Sequence, residues 1–173
     1  MAKLFVQSLP SQEELHTSFQ RLFEGADSKA MYSNLVFLKI ATALENHFDN
    51  FLLPHNLSFG RFTVLALLSS TPEGIVPTEL ASRVGITQAT MSGLLNGLEK
   101  AELIRREEHQ NDRRSFLIKI TDKGENLIKH ILPQWAPEVA AFWNTFSQDE
   151  MNGMNQLMGK MIQNLSMLNK PQA

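Results

Sequence analysis

The sequence predicts a mainly α-helical chain carrying one small β-hairpin, and three observations predict it. Apolar residues recur at helical spacing towards both ends of the chain. Two strand-like runs flank a polar turn within residues 103–120. Serine, threonine, proline and glycine stand where helices would start and stop. The 173 residues fit one domain of ordinary size, and 43% hydrophobic content is enough to build a core.

The first element expected is a short amphipathic helix from Ser11 towards Gly25. Asp27 or Ser28 then caps a long helix in which Met31, Leu35, Leu38, Leu44, Phe48 and Leu52 recur, and Pro54 stops it. Ser58 caps a third helix with Phe59, Phe62, Leu65, Ala66 and Leu68, closed by a breaker stretch at residues 69–74. Ile75 and Val76 suit a very short strand, and Pro77 suits the first turn of a helix running to Val84. Thr121 caps a further helix, which the prolines at 133 and 137 are expected to interrupt. Ser147 and Glu150 form a capping box for the last helix. There Met151, Met154, Met158, Met161, Leu165 and Leu168 make a narrow apolar seam suited to another helix, including one from a partner chain.

Composition excludes several functions. Cysteine is absent, which removes disulfides, Cys-based zinc sites, thiol catalysis and cysteine redox sensing. The first ten residues are too brief and polar for a signal-peptide core, and no segment reaches the roughly 18 uninterrupted apolar residues of a membrane span. A soluble cytoplasmic protein with no membrane partner is expected. A net charge of −2 argues against coating nucleic acid by charge alone. Its distribution is uneven: residues 81–124 hold eight Lys/Arg against six Asp/Glu, and the remainder eight against twelve.

That basic excess coincides with a motif. Two helices joined by a tight turn need a small residue at their crossing, a glycine at the turn and apolar residues that lock the pair. Ala81, Gly85 and Met91 fill these roles, with Leu80, Val84, Ile86, Leu94, Leu95 and Leu98 on the core face. Thr87 falls at the N-cap of the second helix, leaving Gln88, Ala89, Thr90, Ser92, Gly93 and Asn96 as a polar or small exposed face. Such a face suits the major groove: Gln matches the N7/N6 edge of adenine, Thr and Ala methyls touch the thymine methyl, and hydroxyls or Asn bind bases or phosphates.

Residues 103–108, a polar tip at residues 109–114 and residues 115–120 then form a hairpin. Arginines at such a tip suit a narrow minor groove, and Asp112 is expected to orient one of them through a charge-assisted pair. A solvated turn is the ordinary reading of an isolated hairpin. Its position directly after a helix-turn-helix favours a DNA-binding wing, so the fold class becomes a winged helix-turn-helix flanked by helices.

From about residue 57 to 132 the chain resembles the MarR family of bacterial regulators. The stretches that carry the resemblance are residues 57–65 (Leu-Ser-Phe-Gly-Arg-Phe-Thr-Val-Leu), Glu79 to Gly85, Leu94 to Glu99, and Asp112-Arg113-Arg114 leading to Leu117 and residues 120–124. The resemblance implies one domain over residues 1–173. Residues 11–53 and 125–170 supply dimerisation helices, and residues 57–122 form the DNA-binding lobe. It implies a homodimer reading a palindrome in double-stranded DNA, with Thr87, Gln88, Ala89, Thr90, Ser92 and Asn96 in the recognition helix. Arg114 matches the wing arginine and Asp112 its acidic partner, beside Arg113. One departure stands out: family members usually carry Arg or Lys at one or more positions matching Gln88, Gly93 and Gly97. This helix has no basic residue between Val84 and Glu99.

The resemblance also implies coupling to a small aromatic or phenolic ligand. His47, Phe48, Phe51, Phe59 and Phe62 are spaced so that two helices could face each other across such a pocket, although aromatics at helical spacing more often build core. Trp135, Phe142 and Trp143 suit either a ligand or dimer packing. The histidines at 16, 47, 55, 109 and 130 show no metal-ligand spacing, so no metal and no cofactor are expected. No catalytic motif is present. A ligand-responsive repressor is the expectation. The alternative is a dimeric interaction or antirepressor module that keeps the fold without reading an operator.

Overall fold

The computed structural model describes residues 8–23, 25, 27–109 and 112–168, with the side chains of 109, 112–115 and 166–168 outside that description. Its elements are α1 (Gln12–Leu22), α2 (Ser28–Leu52), a 3-10 turn (Leu53–His55), α3 (Phe59–Ser69), α4 (Pro77–Val84), α5 (Gln88–Lys100), β1 (Ile104–His109), β2 (Asp112–Ile120), α6 (Asp122–Trp143) and α7 (Gln148–Leu168). The chain forms two compact units, Met1–Gly124 and Glu125–Ala173. Among the described residues, no single helix is long and apolar enough to cross a membrane.

Local chemistry sets the boundaries in the first unit. Ser11 and Glu14 form a reciprocal capping box at α1, and one Asp27 carboxylate oxygen accepts from the backbone N–H groups of Lys29 and Ala30 at the start of α2. His16 Nδ1 lies 2.8 Å from Oγ of buried Ser28, tying α1 to α2. Ser58 Oγ accepts from Arg61 N–H, and the Asp49 carboxylate accepts from Phe59 N–H at 2.7 Å. The first turn of α3 therefore has two of its orphan donors satisfied.

The core gathers around α3, which packs on α2, α4, α5 and β2. Val64, Leu65 and Leu68 meet Leu52, Leu80, Met91, Leu95, Leu98 and Ile118, all buried. Each such side chain contributes about 1.5–3 kcal/mol through lost apolar exposure. Val84, Ile86 and Leu94, expected on the same face, are half-buried because the short helix-turn-helix leaves its edge in solvent. Of the apolar row expected along α2, Phe48 and Leu52 are buried, whereas Met31, Leu38 and Leu44 are exposed. The period locates a face but does not supply the surface that covers it.

Two expectations need correction at the hairpin. In place of a two-residue strand, Ile75 makes a single antiparallel bridge with Ile118, through N–H donations of 3.1 and 2.9 Å. Gly74 before it has φ +88°, and a Cβ there would press on Lys119 Cγ and the Ile118 carbonyl oxygen, so this close approach requires glycine. The hairpin also extends further than expected: His109 pairs with Asp112, so both lie in strands and only Gln110 and Asn111, outside the described residues, join them. Between the pairs Glu108–Phe116 and His109–Asp112, β2 carries Arg113, Arg114 and Ser115 with no counterpart on β1, and the register shifts there. The extra residues are accommodated as a bulge rather than as a long turn.

Thr121 links the hairpin to α6 as expected. Its Oγ1 donates to the Glu102 carbonyl and accepts from Gly124 N–H. The expected interruption of that helix does not occur, since α6 runs unbroken from Asp122 to Trp143 with Pro133 and Pro137 inside it. Each proline removes one N–H donor. Spaced by four, the two lie on one exposed face of the helix.

Within the second unit, Ile128 and Ile131 of α6 are buried, and Phe142, Trp143 and Phe146 form a ring cluster with centroids 5.1–6.0 Å apart. Ser147 caps α7 as expected: its N–H and Oγ each lie 2.8 Å from the Glu150 carboxylate, and Glu150 N–H donates back to Oγ. These bonds hold the Glu150 carboxyl below its ordinary range. The α7 seam lies partly bare, with Met158, Met161 and Leu165 exposed beside Leu157 and Ile162.

Candidate nucleic-acid interface

The turn between α4 and α5 is built on Gly85, in the left-handed region at φ +73°. Its N–H donates to Ser82 O, while Ile86 N–H returns to Ala81 O, closing the end of α4. Thr87 Oγ1 then accepts from Thr90 N–H and lies 2.9 Å from Thr90 Oγ1, which starts α5 in the direction that the turn sets. Buried Met91, Leu95 and Leu98 fix the rotation of α5 about its axis.

That rotation turns Gln88, Ala89, Thr90, Ser92, Gly93 and Asn96 outward together, all exposed. Thr87 joins them at the cap. The face holds amide, hydroxyl and methyl groups with no carboxylate among them, a donor and acceptor set matched to base edges. Gly93 has open space where a Cβ would stand.

Asn96 is held in a way that the sequence pattern did not indicate. Arg106 on β1 donates from Nη2 to Asn96 Oδ1 at 2.9 Å, pairs through Nε with Glu99 at 3.1 Å, and lies with Cζ 4.8 Å from the Phe116 ring centroid. Hairpin and helix are joined by this guanidinium. Below it, Glu107 is held between Lys119 Nζ and Arg105 Nε, each at 2.7 Å. The hydrogen bond from Lys119, then that from Arg105, keeps the Glu107 carboxyl below its ordinary range. Lys123 does the same for Glu102 at 2.9 Å.

Asp112, Arg113 and Arg114 stand at the far end of the hairpin, in and beside the bulge. The expected pairing of Asp112 with an arginine falls on side chains outside the described ones.

The aromatic residues come together between α2 and α3. Phe48 is buried, and its ring centroid lies 6.2 Å from Phe51, 5.5 Å from Phe59 and 5.0 Å from Phe62, the latter two edge-on. His47 is exposed and Phe59 is 41% exposed, whereas Phe62 is buried. The rings pack on one another as core does, with Phe59 at the solvent edge. Among the described residues no three His, Asp or Glu side chains gather as a metal site.

A family profile described as the MarR family matches residues 55–115. Over 134 residues the chain is 36% identical to the HTH-type transcriptional regulator MgrA of Staphylococcus aureus, covering 76% of this chain and 77% of that one. The chain belongs to the MarR family. A second relative in this family, the HTH-type transcriptional repressor YetL of Bacillus subtilis (strain 168), is 26% identical over 162 residues, 93% of this chain and 96% of that one. The fold is similar to the S. aureus MepR–DNA complex, with a TM-score of 0.71 at 22% identity over 76% of this chain and 96% of that one. MarR-family proteins are transcription regulators and not enzymes, and this MarR-family chain carries the winged helix-turn-helix that its sequence predicts.

Proposed function

We propose that this regulator is a homodimeric repressor that binds a palindromic operator in double-stranded DNA in the cytoplasm. In this reading α5 lies in the major groove and the hairpin tip reaches the minor groove. The observation that carries it is the carboxylate-free outward face of α5, fixed by a buried apolar face and a threonine cap. Thr87, Gln88, Ala89, Thr90, Ser92 and Asn96 are assigned to base and phosphate contacts, and Asp112, Arg113 and Arg114 to the wing. MepR has been solved on DNA and YetL is named a repressor, which supports the same reading for a chain of this family.

The second protomer covers the exposed apolar residues of α2 and α7, among them Phe37, Leu38, Met161 and Ile162. A small aromatic or phenolic ligand acts at the ring group of Phe48, Phe51, Phe59 and Phe62 beside His47, entering at half-exposed Phe59.

Selection of bound sequences from random duplexes tests the reading. Two half-sites about one helical turn apart, roughly 10–10.5 bp, are expected. Arg114→Ala should lower affinity and flatten its salt dependence, because a wing arginine releases counterions when it binds. Repetition with candidate aromatic acids reads out the ligand response. Failure to shift any duplex at low salt, including the DNA upstream of its own coding sequence, would favour the interaction-module alternative.

A further inference from the structure

We infer that Arg61 of α3 supplies a phosphate-binding cation along the stretch of the recognition helix before Lys100, which has none of its own, and that Gly97 is a glycine because the Arg61 guanidinium rests on it. The inference rests on the DNA-binding reading above and adds a contact from outside the helix-turn-helix.

Between Val84 and Glu99 the chain has no Lys or Arg. The space beside α5 is nevertheless occupied by one. A Cβ built on Gly97 would stand 2.5 Å from Arg61 Nη2, 2.8 Å from Cζ and 3.0 Å from Nε, so any larger side chain there would displace the guanidinium. One residue before Arg61, a Cβ on Gly60 would meet both methyl carbons of Leu94, a turn before Gly97 on α5, at 3.5–3.6 Å, so α3 lies close alongside α5 and carries Arg61 to its edge. Thr90, Gly93 and Gly97 follow at steps of three and four. They form one row along the margin of the outward face, and Arg61 sits at the end of that row.

Charge bookkeeping separates Arg61 from its neighbours other than Lys100, which stands exposed in the last turn of α5. Arg83, Arg105, Arg106, Lys119 and Lys123 each pair with a carboxylate within 4.0 Å. Among the described residues, no carboxylate pairs with Arg61. A half-buried guanidinium without an acid presents its fork of N–H donors to whatever anion approaches, and phosphate fits that fork in bidentate fashion. When a recognition helix enters the major groove, the margin of its outward face runs beside a phosphate strand. Arg61 is placed for that strand rather than for a base.

The test measures binding of the full chain to the selected operator and to a scrambled duplex between about 50 and 200 mM salt. Arg61→Gln should flatten the plot of log affinity against log salt by about 0.9 per protomer and weaken both duplexes by the same factor. Arg61→Lys should keep the slope. Gly97→Ala should reproduce part of the loss by pushing the guanidinium aside, and the double variant should be no weaker than Arg61→Gln alone. An unchanged slope for Arg61→Gln overturns the inference and leaves the DNA-binding reading standing. So does a loss of affinity that accompanies a lowered melting temperature at constant slope, since that marks a packing role. Wild-type protein that binds neither duplex overturns both.

Discussion

Arg106 on the hairpin donates to the carbonyl oxygen of Asn96 on the recognition helix at 2.9 Å, while the same guanidinium pairs with Glu99. An amide so held keeps its NH2 group free to donate and has one carbonyl lone pair already used. Arg106→Ala should therefore change which base is preferred opposite Asn96, away from an acceptor such as guanine O6 or N7. Stability should fall by only about 0.5–1 kcal/mol, the scale of a solvent-exposed pair. Selection from random duplexes and a denaturant titration check the two halves, and an unchanged base preference would sink the role given to Arg106.

Gly85 and Gly93 should respond to alanine with opposite signs. Gly85 sits at φ +73°, so Gly85→Ala should cost about 1–2 kcal/mol although nothing lies within 4 Å of the new methyl. Gly93 lies inside α5 with the same open space, so Gly93→Ala should stabilise by about 1 kcal/mol through helix propensity. Urea unfolding of both variants at equal protein concentration measures the contrast.

Acid should loosen the hairpin through Glu107. Its carboxyl is held low by Lys119 and then Arg105, so the folded state favours the ionised form more than the unfolded chain does. The sign follows: this contribution is present above the ordinary carboxylate range and is lost as pH falls through the depressed value. Glu107→Gln should remove it at neutral pH and leave a shallower decline of stability on acidification. Melting temperatures of both proteins from pH 7 to about pH 3 give the comparison. Parallel curves would rule this contribution out.

Assembly should hinge on α7. Ile162 is 69% exposed between Met161 and Leu165, which are also exposed. Ile162→Asp should convert the proposed dimer to monomer with little loss of helical circular dichroism, because a carboxylate buried against a partner helix is costly while one in water is not. Sedimentation of wild type and variant at matched concentration decides it.

Most helix starts were legible because capping is local chemistry: Asp27, Ser58, Thr87, Thr121 and Ser147 each engage backbone groups within three residues. The outward face of α5 was legible for a similar reason, since Met91, Leu95 and Leu98 determine its rotation. The neighbours of that face were not. Arg61 reaches Gly97, and Arg106 reaches Asn96, across tertiary contacts that no local spacing encodes. The prolines of α6 misled in the other direction, because the rule that proline ends a helix concerns an isolated segment. It does not foresee two prolines sharing one wet face.

The bridge from Ile75 to Ile118 gives the hairpin a second clamp at its foot, opposite β1, made possible because Gly74 has no side chain to collide with Lys119. Three backbone segments thus grip the base, and only the two strands themselves continue outward to the bulge at residues 113–115. Mechanically the wing is a cantilever. Its outer end is held by strand pairing alone, whereas α5 is rooted in the core through Met91, Leu95 and Leu98.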